Sequence, residues 1–351
     1  FGSVSGQEVG DLRRFWNRTD HLMRSDVKVL SQKVAFHDDS NEWYTGSDSV
    51  RDELGDLQSG TSRQDLNLLI GKHLLGTDRP AITRDDNSNL LGEYKQAQGS
   101  LFVGGRSHDD VDQGSLGSCY FLSALQGAAH DKPNSIRNMF KDNGDGTFSV
   151  RFFTNGKTDY VTVDKSVAAW TGTNSFMYAR SQPTGGTSVR TNSASELWVA
   201  LAEKAYAQVN ESGRINQDGT NSYQGISGGY ANHAIKHVTG INTSRQIADP
   251  TGLFGVSANE LISYVNSSRV VNVGSFNGNA STDDDGDNSI DWKSTNSTNI
   301  GRAVQSHAYS VVGYNASTRR FDIRNPWGSA NLSLRYNQLL QLGARFSFSN
   351  S

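Results

Sequence analysis

Cys119 is the only cysteine in a chain of 351 residues. It lies in Gln113-Gly-Ser-Leu-Gly-Ser-Cys-Tyr-Phe-Leu-Ser-Ala-Leu125, a glycine-bearing loop that runs into a helix. Phe121, Leu122, Leu125, Ala128 and Ala129 recur at helical spacing and form one apolar face. Ser118 is placed to cap that helix, which sets the sulfur in its first turn. Unpaired backbone N–H groups and the positive end of the helix dipole favour a thiolate there. A cysteine so placed is expected to be nucleophilic at neutral pH. The plainer alternative is a small buried apolar residue. Gln113, upstream in the same loop, can offer a side-chain N–H to an oxyanion formed beside the sulfur.

A cysteine nucleophile needs a base, and the base needs a group that orients it. Eight histidines are present, and His307 stands apart by context. It opens His-Ala-Tyr-Ser-Val-Val-Gly-Tyr314, a β-rich run, and Phe321-Asp-Ile-Arg-Asn-Pro-Trp-Gly328 follows. Between them, Asn315-Ala-Ser-Thr-Arg-Arg320 is turn-forming. Folded as an antiparallel hairpin centred near Ala316, the two runs set His307 opposite Asn325. Cross-strand partners have Cβ atoms about 4.5–5.5 Å apart, so an Asn amide there reaches the imidazole. A slip of one residue in the turn would undo the pairing. The alternative is a histidine packed in a sheet without a chemical role.

Three stretches of chain must position these groups. Residues 1–98 are polar, with amphipathic helical patches from Asp11 to Ser31 and from Asp65 to Leu75. They read as an N-terminal helical extension: a pro-segment or regulatory region packed on the core, or a separate helical domain. Residues 99–240 carry the Cys119 helix, a strand pair around Thr147 to Val163 and a helix from Glu196 to Val209. Asn143-Gly-Asp-Gly146 is a hairpin turn between apolar runs. Residues 241–351 read as mostly β, interrupted by a soft segment from Gly274 to Gly301. That segment contains Asp283-Asp-Asp-Gly-Asp-Asn-Ser-Ile-Asp291, which departs from an EF-hand loop in its glycine position and in Ser294 at the last ligand position. A solvated surface loop and a calcium loop both stay open for it.

Composition removes other classes. The length allows one large domain or two modest ones with a sizeable core. A net charge of −3 gives no reason to expect nucleic acid or an anionic membrane surface as a partner. There is no apolar run of about 18 residues, so no membrane-spanning helix is expected. One cysteine forbids an internal disulfide. Abundant Gly, Ser and Asn, with Lys scarce beside Arg, suit a secreted bacterial protein rather than a cytoplasmic one. The start at Phe1 instead of Met implies that something upstream has been removed.

Several segments match a known pattern. Gln113-Gly-Ser-Leu-Gly-Ser-Cys-Tyr-Phe-Leu122, His307-Ala-Tyr-Ser-Val311 and Arg324-Asn-Pro-Trp-Gly328 resemble the active-site blocks of the calpain family of cysteine proteases. Phe176-Met-Tyr-Ala-Arg-Ser181 and Glu196-Leu-Trp-Val-Ala-Leu-Ala-Glu-Lys-Ala-Tyr206 resemble a strand and the long helix of its protease core. Ser227-Gly-Gly229 and Val238-Thr-Gly240 resemble the segment leading into the second half, and the blocks follow the family's order from about Leu101 to Trp327. The resemblance implies an α+β, papain-like protease core with a helical half and a β-rich half meeting at the active-site cleft. It implies Cys119 as nucleophile, His307 as general base and acid, and Asn325 as the residue orienting the imidazole. Gln113 and the Cys119 N–H would form the oxyanion hole, and Trp327 would shield the Asn–His pair from water. One departure is Ser118-Cys119-Tyr120 where the family usually has Asp-Cys-Trp.

The reaction implied is endopeptidase hydrolysis of an extended polypeptide through a thioester. A catalytically silent binding module with the same fold, or a papain-like acyltransferase, stays open beside it. The resemblance also implies Ca²⁺, held in the loop Leu101-Phe-Val-Gly-Gly-Arg-Ser-His-Asp-Asp110 by the carbonyls of Val103 and Gly105 and the carboxylate of Asp110, with Glu196 as the fourth ligand. With both carboxylates bidentate, that set supplies about six oxygens, within the usual ~6–8. The alternatives are a capping box at Ser193-Ala-Ser-Glu196 and an ordinary surface carboxylate at Asp110. His108 stands where the family usually has an arginine tying its halves together, and Asn331 replaces the first acidic ligand of the family's second calcium site.

Overall fold

The computed structural model describes residues 2–47, 50–181, 195–274, 289–293 and 299–350, with backbone alone for 289–293 and 299–302. The fold is α+β. Its residues cluster into two compact units: Phe1–Leu101 with Asn138–Tyr178 and Ser188–Ser227, and Phe102–Arg137 with Ala179–Thr187 and Gly228–Ser351.

In the first unit the patch from Asp11 to Ser31 forms two helices, Gly6–Thr19 and Ser25–Ala35, broken by a 3-10 turn at Asp20–Leu22. Ser5 and Glu8 close a capping box on the first of them. The second is tied to strand Lys157–Asp164, where buried Lys33 meets Asp159 at 2.7 Å and donates to the Tyr160 carbonyl at 3.1 Å. That strand belongs to an antiparallel sheet with Phe140–Asp142 and Thr147–Thr154. Its first turn uses Gly144 (φ 82°) and Gly146 (φ 89°), and Asp145 Oδ1 accepts from the Thr147 N–H at 2.9 Å. The acidic residue of this turn therefore serves the turn itself.

The long helix of the first unit runs Trp198–Val209 and is buried on every side. It starts two residues later than the sequence reading placed it. The Leu197 N–H donates to Ser100 O at 3.0 Å and the Trp198 N–H to Leu101 O at 3.1 Å. Carbonyls of a neighbouring segment thus satisfy the orphan donors of the helix start. Glu196 lies just before the helix, in a parallel bridge with Ser100, and the Ser193 end of the expected capping box lies outside the described residues.

The second unit is built on a six-stranded sheet in the order Thr243–Ile247, Arg345–Ser349, Val271–Gly274, Ala308–Asn315, Arg320–Arg324, Leu332–Leu334. Each described pairing in it is antiparallel. The Cys119–Asp131 helix packs against its Ala308–Asn315 strand and against helix Ala231–Thr239. Every residue from Tyr120 to Ala129 is buried, where the sequence showed a single apolar face. Close approach explains the rest: a Cβ on Gly127 would lie 2.9 Å from Val270 Cγ1 and 3.1 Å from Ser310 Oγ. Only glycine lets the helix sit so near the sheet.

The His307 hairpin forms in another register than expected. Ser310 pairs with Arg324 and Val311 with Ile323, then a bulge between Val311 and Gly313 shifts the ladder so that Asn315 pairs with Arg320. The turn is centred between Ser317 and Thr318. Asn315 Oδ1 accepts from the N–H groups of Ser317 and Thr318 at 3.1 Å, and Arg319 takes φ 55°. An Asx turn with one left-handed residue lengthens the loop beyond what a hairpin centred on Ala316 allows. His307 and Asn325 consequently sit just outside the ladder, one at each strand end.

Candidate active site

The contact expected from the hairpin is nevertheless made. His307 Nε2 lies 2.8 Å from Asn325 Oδ1, and both residues are buried. The Trp327 N–H also donates to Asn325 Oδ1 at 3.0 Å. A backbone N–H can only donate, so the atom facing it is the amide oxygen, and the amide orientation is fixed. An oxygen with no proton then requires Nε2 to carry the hydrogen. Nδ1 is left as the basic nitrogen.

Two rings frame the imidazole. Trp327 lies 4.7 Å away at 43°, and Tyr309 presents its edge at 4.8 Å and 89°. Trp327 covers the imidazole while staying 40% exposed itself. Asn325 is held from behind as well, its own N–H donating to Asn331 Oδ1 at 2.9 Å. Cys119 and His307 line one cavity of about 210 Å³. Gln113 is pinned to the same loop through its backbone N–H, which donates to Pro326 O at 2.7 Å, and its side-chain Nε2 donates to Leu116 O at 2.5 Å. The Gly228 N–H donates to Gly117 O at 2.8 Å and fastens the Ser227-Gly-Gly229 segment to the nucleophile loop.

The electrostatics differ from the sequence reading. Ser118 occupies the N-cap position but makes no side-chain cap bond. Burial pushes the Cys119 thiol up, outweighing the backbone N–H groups of Ala308 and Tyr120 that favour the thiolate. Burial also pushes the His307 imidazole below its ordinary value, against the opposing pull of Asn325. Both shifts favour neutral forms. Burial thus works against the thiolate–imidazolium pair that a helix terminus alone suggests.

Of the residues expected to hold calcium, Val103, Gly105 and Asp110 lie in the second unit and Glu196 in the first. Asp110 Oδ2 accepts from the Ser107 N–H at 2.6 Å in a capping box. Among the described residues no three His, Cys, Asp or Glu side chains gather as a metal cluster. The Asp283–Asp291 run lies outside the described residues apart from the backbone of its last three positions.

Comparison with known proteins agrees with this geometry. Residues 91–339 match the family described as calpain family cysteine protease, and that span includes Cys119, His307 and Asn325. The chain belongs to the calpain family. Among calpains it is 26% identical over 257 residues to the Calpain-2 catalytic subunit of Homo sapiens, covering 69% of this chain and 31% of that protein. The corresponding subunit of Gallus gallus is 27% identical over 253 residues, with 68% and 30% covered, and Calpain-8 of Mus musculus 26% over 240, with 65% and 29% covered. The chain thus spans about a third of the length of the calpains it matches. No described helix is long and apolar enough to cross a membrane.

Three residues of this candidate site were not singled out for it by sequence reasoning. Tyr309 and Asn331 frame the His–Asn pair, and Asn272 lines the cavity. The dense aromatic and Asn content near His307 was visible. Which of these residues turn toward the imidazole depends on the strand register.

Proposed function

We propose that this chain is a cysteine endopeptidase acting through Cys119, His307 and Asn325. The reading rests above all on Asn325 Oδ1, which receives both the Trp327 N–H and His307 Nε2 and so leaves Nδ1 as the base. Nδ1 takes the thiol proton as sulfur attacks the peptide carbonyl. The oxyanion is met by the Cys119 N–H and by the second Nε2 hydrogen of Gln113, whose first goes to Leu116 O. The imidazolium then protonates the leaving amine, which departs and leaves a thioester. Water, deprotonated by His307, hydrolyses the thioester and regenerates the thiol. Substrate is an extended polypeptide. Hydrolysis of casein and of short peptides by the purified chain tests this. Transfer of the acyl group to an added amine without net hydrolysis would favour the acyltransferase reading instead.

The directions of the two shifts set the expected pH dependence. His307 acts as base only when unprotonated, and its value is lowered, so kcat/KM should fall on the acid side only below about 6.5. The Cys119 thiol is raised, so the alkaline limb should lie above the usual ~8.5 for a cysteine. These limbs report the pair and not either residue alone. A pH–rate profile should show a broad plateau between them. An acid limb centred above pH 7 would contradict a buried, neutral His307.

Calcium enters as part of the same proposal. The carbonyls of Val103 and Gly105 and the carboxylate of Asp110, all in the second unit, are oxygen donors, which suit a hard cation. Gly105 sits at φ 119°, a loop conformation that favours glycine. Bound there, Ca²⁺ would supply positive charge that orders the loop leading to Gln113. Calorimetric titration with CaCl₂ should show binding by the wild type and its loss in Asp110→Ala. Equal binding by the two proteins would remove this site.

A further inference from the structure

The cavity beside the sulfur has a second wall that the reaction does not use. Pairing across the sheet puts Arg245 opposite Ser347, Ser347 opposite Asn272, and Arg345 opposite Gly274. Residues two apart on a strand share a face, so Arg245, Arg345 and Asn272 lie on one side of the sheet. All three line the cavity together with Cys119 and His307. Among the described residues no Asp or Glu lines it, and neither arginine forms a salt bridge. The Arg245 guanidinium is held 4.5 Å over the Tyr230 ring, another lining residue. Asn272 is 1% exposed, and both its Oδ1 and Nδ2 are buried without a partner. A buried amide with neither end satisfied is costly, and its position on the cavity wall points to a polar group from outside.

We infer that this cavity receives an acidic side chain of the substrate, within two residues of the bond cleaved, and that Arg245, Arg345 and Asn272 select it. The inference rests on the peptidase reading for the place of the scissile bond. Two guanidiniums supply charge, and the unpartnered amide of Asn272 lies in the wall beside them. An extended chain advances about 3.3 Å per residue, so only a residue near the attacked carbonyl can send its side chain into a cavity that Cys119 itself lines. Because both arginines are exposed at their strand positions, salt should weaken the preference.

The test digests a mixture of C-terminally amidated peptides, so that side chains carry the only carboxylates, and locates the cuts by mass spectrometry. Wild type should favour Asp or Glu over Asn or Gln at one position by about tenfold, the scale of a single charge-assisted hydrogen bond. The Arg245→Glu/Arg345→Glu protein should shift that position toward Lys and Arg, and the milder Arg245→Gln/Arg345→Gln protein should lose the acidic preference. Cleavage without acidic preference, or a preference that survives both double variants, would overturn the inference while leaving the peptidase standing. A second arm needs no turnover: Cys119→Ala protein should bind an alanine-rich amidated peptide bearing one Glu more tightly than its Gln counterpart. If wild type cleaves nothing, the peptidase reading fails, and this arm alone decides the cavity, equal binding counting against it.

Discussion

Peptide hydrolysis by Cys119→Ala and by His307→Ala is expected to fall to a common floor, about 10⁴–10⁶ below wild type, because nucleophile and base act as one unit. The structure makes the dependence on His307 especially strict. A cysteine that is already a thiolate can attack without help, but burial pushes this thiol up. Without Nδ1 to take its proton, the sulfur stays unreactive. Neither change should disturb the fold, since both side chains line the cavity and each sits at the end of its helix or strand. Asn325→Ala should cost less, since the base survives but loses its fixed orientation. Gln113→Ala should cost about 10²–10³, as for one oxyanion donor. Far-ultraviolet circular dichroism with kcat/KM on one peptide checks the set. A His307→Ala protein that keeps most of the wild-type rate would show that this imidazole is not the base.

The largest stability effect is expected in the first unit, at Lys72. Its ammonium is buried between the carboxylates of Asp78 and Glu211 and also donates to Trp43 O at 2.8 Å. Asp78 Oδ1 in turn accepts from the N–H groups of Thr45 and Gly46 at 2.7 Å each, so the cluster joins three distant segments of chain. Lys72→Ala leaves two like charges buried together, a change that typically costs about 3–5 kcal/mol. The sign of its pH dependence follows from Glu211. Burial raises that carboxyl to about 7, so it holds a proton more readily folded than unfolded. Such a group favours the folded state below the ordinary carboxylate range, and that contribution is lost as pH rises through about 7. The gap between Lys72→Ala and wild type should therefore be wider at pH 8 than at pH 5.5, where protonation relieves the unpaired pair. Urea denaturation at both pH values measures this, and a loss under about 1 kcal/mol at pH 8 would mean the cluster is not a keystone of the unit.

The proposed reacting groups were legible in the sequence because chemistry restricts their types. A lone cysteine at a helix start, a histidine opening a β run and an Asn-Pro-Trp turn are conspicuous. The reason they meet was only half legible. The His307–Asn325 contact survives a register set by an Asx turn and a bulge, which hydrophobic alternation cannot reveal. The thiolate expected of Cys119 rested on a helix terminus, which a sequence shows, whereas the burial that pushes the thiol up is not visible there. The same limit hid the helix's all-round burial, which depends on Gly127 meeting Ser310 across a long stretch of chain. The arginine wall was the least visible part. Strand Arg345–Ser349 inserts between Thr243–Ile247 and Val271–Gly274, so residues remote in sequence share one cavity.

The central claim is that Cys119 carries the acyl group. With a single cysteine in the chain, a thioester has one possible address. Rapid acid quenching of the protein with a slowly deacylating ester or peptide substrate, followed by intact-mass and fragment-ion analysis, reads it directly. The account expects a transient mass increase equal to the acyl portion of the substrate, located on Cys119, labile to hydroxylamine and missing from Cys119→Ala. Turnover with the acyl group on another residue, or at an undiminished rate in the Cys119→Ala protein, would contradict it.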